Sequence, residues 1–337
     1  MCEPLPDLLR RGLDRRRDLL PRLHGEGTDW YRLLHGVAEG APGLTIDRYG
    51  TLLLAQTFRE TLPAAAVAAL REVVQHELGL DLPLVHNHRG EGAEREPIAA
   101  APVPADGTHD EHRCHEGGVR FLIRARHRGQ DPWLFLDLRA GRRLVRAIAT
   151  GRRVLNLFAY TCGVGVAAAV AGASSVSNVD FAASALAVGR ANAAANGIDS
   201  TRFTTLQADC IPVLRQLAGL PVQRRHKQQP FVRVPPQQFD LVVLDPPRFA
   251  KTPFGTIDVV HDYQSLFKPC LLTLAEGGAV LATNHVPQVD AAAWHQALRR
   301  CAEKAGRPLR SLETIPVDDD FPSFDGRPPL KLVLARI

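Results

Sequence analysis

Apolar positions change their period twice along the chain. Over residues 1–27, Leu8, Leu9, Leu13, Leu19 and Leu20 recur at roughly helical spacing, which predicts an amphipathic lead-in helix with an arginine-rich opposite face. From Tyr31 the helical period gives way to short apolar runs between turn residues. LTIDRYG, TLLLAQTF and PLVHN read as strands and about Pro63 to Glu77 as a helix, a small α/β domain over 28–127 that is a candidate RNA contact. Arg89 to Glu111 is polar, carries Gly and Pro and has no period, so it reads as an exposed loop, after which VRFLIRA adds a strand.

From 128 to 337 buried apolar runs alternate with helical patterns. RRVLNLFAY, SSVSNVD, FTTLQAD, FDLVVLDPP and GGAVLATNH read as strands, separated by helices at VAAAVAGA, AASALAVGRANAAANG, IPVLRQLAG and HDYQSLFKPCLLTLA. A helix at AAAWHQALRRCAEKAG and a hairpin of LRSLETIPV with PLKLVLARI close the chain. Such alternation predicts an α/β fold: a Rossmann-like doubly wound parallel sheet with helices on both faces and a terminal antiparallel strand, preceded by the small α/β domain.

Composition narrows the function classes. At 337 residues, with 45% hydrophobic and 23% charged positions, the chain has the length for two domains with their own cores and reads as a soluble globular protein. Cys2, Cys114, Cys162, Cys210, Cys270 and Cys301 form no CxxC pair, which argues against zinc and against a disulfide framework and suits free cytosolic thiols. Charged residues near the start and the shortness of the most apolar stretch, Val164 to Ala173, predict a cytoplasmic protein with no membrane partner. A net charge of +5 favours a polyanionic partner only mildly, but the cations cluster at Arg10 to Arg17, Arg120 to Arg128, Arg139 to Arg153 and Arg224 to Lys227.

Ligand crevices of open α/β sheets lie beyond the carboxyl ends of the strands, where strand order reverses. There the sequence places Phe158-Ala-Tyr160-Thr161-Cys-Gly163-Val-Gly165, a turn whose glycines either let backbone approach a ligand or serve helix packing. Asp180 and Asp209 end the next two strands, as ribose and adenine acceptors or as helix N-caps. The fourth strand ends in Asp245-Pro246-Pro247-Arg248-Phe249, where paired prolines stop the sheet and fix acceptors in a rigid frame beside a ring able to stack on a base. No GxGxxG fingerprint is present for a nicotinamide cofactor.

Together, Asn156-Leu-Phe-Ala-Tyr-Thr161, Asp180, Gln207-Ala-Asp-Cys210 and Asp245-Pro-Pro-Arg-Phe249 resemble the bacterial class I methyltransferases of large-subunit ribosomal RNA. Gly129-Gln130 leading to Leu136-Asp-Leu-Arg139 and the HGVAEGAPGLTIDRYG segment extend the likeness upstream to about residue 30. The resemblance implies S-adenosylmethionine as cofactor and ribosomal RNA as partner. By it, Phe158, Tyr160, Thr161 and Gly163 line the methionine part of the cofactor, Asp180 meets its ribose and Asp209 its adenine. Asp137 and Arg139 close the pocket, and Asp245 to Phe249 face both sulfonium and target base. Cys162 stands where the family usually has Gly, Pro132 and Trp133 alter the linker motif, and an RNA-binding PUA module common in the family is missing. Residues 221–238 are an insertion whose Arg224, Arg225, His226, Lys227 and Arg233 suit phosphate contacts or form a solvated loop.

The acceptor atom dictates the remaining chemistry. Cytosine carbon-5 needs covalent activation by a thiolate, and the cytosine-modifying members that this chain resembles carry that Cys at the end of the fifth strand. Here that strand reads Ala282-Thr283-Asn284-His285, which resembles the Ser-Asn of the guanine N7 branch. Guanine N7 offers a free lone pair, so orienting groups suffice: Asp245 and Asn284 on the base edge and Phe249 on its face. The competing readings are cytosine methylation, a non-RNA methyl acceptor, and a non-catalytic RNA-binding assembly factor.

Overall fold

A computed structural model describes residues 3–90, 111–125, 132–222 and 230–337. The chain divides into two compact units, Met1–Leu136 with Asp318–Arg327, and Asp137–Val317 with Pro328–Ile337. The division falls later than the 127/128 boundary read from the sequence, and the first unit takes in both the lead-in and a segment from near the C-terminus.

In the first unit, α1 (Leu5–Arg15) and α2 (Leu19–Gly25) precede β1 (Trp30–His35), β2 (Leu44–Tyr49), β3 (Leu52–Thr57), α3 (Ala64–Leu78) and β4 (Leu84–His88). These strands form one sheet in the order β1-β2-β3-β4, antiparallel except for β3 with β4, which α3 connects in parallel. A hairpin of β5 (Glu111–Glu116) and β6 (Val119–Arg124) pairs Cys114 with Phe121. Leu9, Leu13, Leu20 and Leu23 share a core with Leu33, Ile46, Leu53 and Val74, so the lead-in is part of this unit and not a separate element.

The single lead-in helix expected from the leucine spacing breaks into two at Arg16. Its buried guanidinium donates to both carboxylate oxygens of buried Glu39, at 2.7 and 3.0 Å, and to the carbonyls of Gly12 and Asp320. A charge held out of water needs this degree of partnering. The exposed arginines nearby pair with acids, Arg10 with Asp7, Arg11 with Glu3 and Arg17 with Asp14, so the lead-in's basic face is largely balanced locally. The returning segment adds Asp320, which accepts from Arg32 N, and Phe321, whose ring lies 4.9 Å from the Arg32 guanidinium.

The second unit opens with α4 (Arg139–Ile148), then β7 (Arg153–Leu157), α5 (Gly163–Val170), β8 (Ser175–Asp180), α6 (Ala183–Ala195), β9 (Phe203–Gln207), α7 (Cys210–Leu217) and β10 (Phe239–Leu244). A small hairpin, β11 (Phe249–Thr252) with β12 (Gly255–Asp258), leads to α8 (Gln264–Leu272), β13 (Leu274–Asn284), α9 (Ala291–Lys304), β14 (Ser311–Ile315) and β15 (Lys331–Arg336). The seven-stranded sheet runs β14-β15-β13-β10-β7-β8-β9. It is parallel from β13 to β9, while β15 runs antiparallel to both β13 and β14. This is the Rossmann-like methyltransferase sheet expected from the sequence, and its switch point lies between β7 and β10. Among the described residues no helix is long and apolar enough to cross a membrane.

Candidate active site

The switch point places the ends of β7 and β10 side by side, with β8 and β9 beyond β7 and β13 beyond β10. After β7 the backbone is unusual: Phe158, Tyr160 and Cys162 all have left-handed φ, at 55°, 47° and 59°. Each such residue costs about 1–3 kcal/mol and survives only where its surroundings hold it. They do so here. Ala159 N donates to Val179 O at 3.0 Å, Tyr160 N to Asp180 Oδ2 at 2.8 Å, and Phe158 N to Cys210 Sγ at 3.4 Å. Thr161 is buried, and Asn192 of α6 donates to its carbonyl.

Gly163 begins α5 behind this loop. Gly165 has a packing role: a Cβ there would lie 2.0 Å from Asn178 Oδ1, and Asn178 is itself tied to Asn156 and to Thr204 O across the sheet. The glycine turn therefore serves close helix packing at Gly165, and the left-handed backbone ahead of it lies at the carboxyl end of β7, at the switch point.

Asp180 is buried at the end of β8, with Oδ2 accepting from Tyr160 N and Oδ1 from Ala182 N at 2.8 Å each. It thus fastens the β7 loop as well as ending its own strand. Asp209 is the N-cap of α7 through Oδ1, which accepts from Ile211 N, while its Oδ2 is buried without a donor among the described residues. Of its two sequence readings Asp209 meets the N-cap one, and its other oxygen is an orphaned buried acceptor, a state that suits a donor arriving with a ligand. A left-handed loop bringing backbone to the crevice, a strand-end carboxylate and this spare acceptor fit a nucleoside-bearing cofactor. Phe181, next to Asp180, is 73% exposed and presents a ring at the same strand end, a feature the strand pattern alone did not single out.

Asp245 directly follows β10, and Thr283 at the end of β13 donates its hydroxyl to Asp245 Oδ1. Burial raises the Asp245 pKa above the ordinary carboxylate value, opposed by the Thr283 hydrogen bond, by His285 and by Arg142, with Asp137 adding to the rise. Asp137 and Asp245 therefore belong to one electrostatic neighbourhood. Arg139 and Arg142 are buried on α4 together with Ala140, Gly141 and Val145, and two arginines on this covered face dilute the apolar pattern by which a sequence reading finds a helix. Pro246 is buried, Pro247 partly so, and Phe249 opens β11 at 52% exposure.

Asn284 does not have the placement expected of a base-contacting group. It is 1% exposed, its amide donates to Val259 O at 3.2 Å, and its carbonyl accepts from Val286 N at 3.0 Å. Its side chain braces the chain beyond β13, and Thr283 is the residue that reaches Asp245. Gly129, Gln130 and the cations at 224–227 lie outside the described residues.

Each described cysteine is buried. Burial pushes the thiols of Cys162 and Cys210 up, with Asp180 reinforcing both, and pushes Cys270 well above its ordinary value. None of these three offers a thiolate near neutral pH.

The sequence profile of the S-adenosylmethionine-dependent methyltransferase family matches residues 31–336. The chain is 29% identical over 306 residues, 88% of its length and 71% of the relative's, to ribosomal RNA large subunit methyltransferase I of Aeromonas hydrophila. It is 28% identical over 302 residues, again 88% and 71% of the two chains, to the Escherichia coli protein of the same name. A solved structure described as an S-adenosylmethionine-dependent methyltransferase from Streptococcus mutans shares the fold, with a TM-score of 0.74 over 98% of this chain and 80% of that one at 21% identity. With the family profile spanning both units and the strand-end groups gathered at the switch point, the chain belongs to the S-adenosylmethionine-dependent methyltransferase family.

Proposed function

We propose that this methyltransferase modifies a base of large-subunit ribosomal RNA and that the acceptor is guanine N7. The RNA part rests on the Aeromonas and Escherichia relatives, whose printed name is ribosomal RNA large subunit methyltransferase I. The acceptor part rests on one observation, the absence among the described residues of a cysteine that is exposed at a strand end. Attack through carbon-5 of cytosine requires a thiolate poised against the ring, whereas guanine N7 brings its own lone pair.

When bound, the cofactor supplies a methyl group on a sulfonium, for in-line displacement by the acceptor. The protein's part is then alignment, exclusion of water and charge. Asp180 meets the ribose, Asp209 Oδ2 accepts from the adenine amine, and Phe181 covers the adenine face. Phe158, Tyr160, Thr161 and Gly163 enclose the methionine portion, with Asp137 and Arg139 closing it. Asp245, aimed by Thr283 and framed by Pro246 and Pro247, accepts from the guanine edge, and Phe249 stacks on its face. Alkylating N7 places positive charge on the purine, and a carboxylate alongside stabilises that charge as it develops.

The test is methyl transfer from labelled S-adenosylmethionine to total RNA of a strain lacking the protein, read by nucleoside mass spectrometry. Label in 7-methylguanosine is expected. Label in 5-methylcytidine overturns the acceptor, and unlabelled RNA overturns the substrate class.

A further inference from the structure

The β11–β12 hairpin follows Asp245-Pro-Pro-Arg directly, and its two faces differ. Ala250 and Ile257 are paired and face inward, Ile257 joining the catalytic unit's core, and a Cβ added at Gly255 would lie 3.6 Å from Ile211 Cδ1 on α7. The other face carries Phe249 and Lys251, paired with Asp258 and Thr256, and Phe249, Lys251 and Thr256 are exposed. Arg248 is exposed just before the hairpin, and its carbonyl accepts from Val259 N. Neither Arg248 nor Lys251 has an ion pair among the described residues. The acid on this face, Asp258, is taken up by Val260 N, His261 N and the His261 ring, at 3.0, 3.1 and 2.8 Å.

The hairpin tip has a third cation beside it. Phe254 at the turn meets Phe231 edge-on, with centroids 6.0 Å apart, and the exposed Arg233 lies 5.9 Å from the Phe231 ring. Gln216 of α7 fixes this stretch with both ends of its amide, donating to Val232 O at 2.9 Å and accepting from Val234 N at 3.3 Å. The leg of the insertion that carries Arg233 is thus pinned against the hairpin.

We infer that the outer face of the β11–β12 hairpin, with Arg233 at its tip, is a track for the RNA strand that flanks the target base. The inference rests on the proposed RNA substrate. A base stacked on Phe249 sits at the start of β11, so its neighbouring phosphates run past Arg248 before the strand or past the outward Lys251 towards Arg233 at the tip. Aromatic stacking beside a line of cations is the usual physical basis for holding single-stranded nucleic acid. Cations contacting phosphates release condensed counterions, which ties affinity to salt.

The test compares wild type with Lys251→Ala, Arg233→Ala and the double variant, measuring affinity for a short single-stranded RNA as salt is raised. Each lost cation is expected to flatten the slope of log affinity against log salt by about 0.7, with the double variant binding roughly tenfold more weakly at low salt if these contacts are typical of phosphate neutralisation. Unchanged affinity for S-adenosylmethionine establishes that the variants are folded. Variants that keep wild-type RNA affinity and salt slope, while the wild-type protein labels RNA, overturn the track and leave the proposed function standing. Wild-type protein that labels no RNA overturns both.

Discussion

Thr283 donates its hydroxyl to Asp245 Oδ1 across the adjacent ends of β13 and β10, and Tyr263, the N-cap residue of α8, donates to the Thr283 carbonyl at 2.8 Å. The pairing fixes where the Asp245 carboxylate points, and in the proposed function its Oδ2 addresses the substrate. Asp245→Ala should lower the rate of methyl transfer by roughly a hundredfold or more, the scale of losing an oriented electrostatic group, while S-adenosylmethionine affinity holds. Thr283→Val should reproduce part of that loss and Thr283→Ser should restore it, because only the hydroxyl is at issue. Single-turnover rates with saturating cofactor decide: a Thr283→Val enzyme as fast as wild type removes Thr283 from the site.

The same carboxylate makes stability depend on pH. Burial lifts the Asp245 pKa above its ordinary value of 3.8, so the folded protein holds the proton more tightly than the unfolded chain does. That preference stabilises the fold fully below 3.8 and is lost as pH rises through the folded value. Asp245→Asn, neutral at every pH, should therefore melt at a higher temperature than wild type at neutral pH, and the advantage should shrink as pH falls towards 3.8. Equal melting temperatures at neutral pH would mean that Thr283 and the nearby cations fully offset the burial.

Asp180 holds Tyr160 N and Ala182 N, so its removal affects the crevice twice, through the ligand and through the left-handed β7 loop. Asp180→Ala should weaken S-adenosylmethionine binding by roughly ten- to a hundredfold, since hydrogen bonds to a charged group are worth about 1.5–3 kcal/mol. Asp180→Asn keeps an acceptor for one of the two backbone donors and should lose less. Calorimetric affinity close to wild type in Asp180→Ala would exclude it from the cofactor site.

The strand ends were legible in the sequence because period and punctuation coincide there: a buried apolar run followed by Gly, Asp or Pro-Pro marks where a parallel strand stops. The β11–β12 hairpin was not, since a four-residue strand such as Phe249–Thr252 is too short to show a period. Helix α4 is hard to read because Arg139 and Arg142 share its buried face with Ala140, Gly141 and Val145, diluting the usual apolar pattern. The placement of Asn284 is not legible for a different reason. Adjacent strand residues point to opposite sides, and a resemblance to a Ser-Asn pair does not say which of Thr283 and Asn284 turns towards Asp245.

Cys162 stands at a position where a left-handed φ of 59° favours glycine. Its thiol occupies a niche opened by Gly189 on α6, where an added Cβ would lie 2.4 Å from Cys162 Sγ and 2.9 Å from its Cβ. Neither atom can retreat cheaply, because both sit on the loop whose backbone is fastened to Asp180. Gly189→Ala should therefore destabilise the protein by about 1–3 kcal/mol, the scale of overpacking a core, and should also weaken cofactor binding by displacing the β7 loop. Adding Cys162→Gly removes the clashing atoms and the backbone strain together, so the double variant should be more stable than Gly189→Ala alone. Denaturant unfolding of the two single variants and the double variant gives the coupling energy. Strict additivity would show that α6 and the β7 loop yield independently, and that the Cys162–Gly189 fit does not hold the crevice in shape.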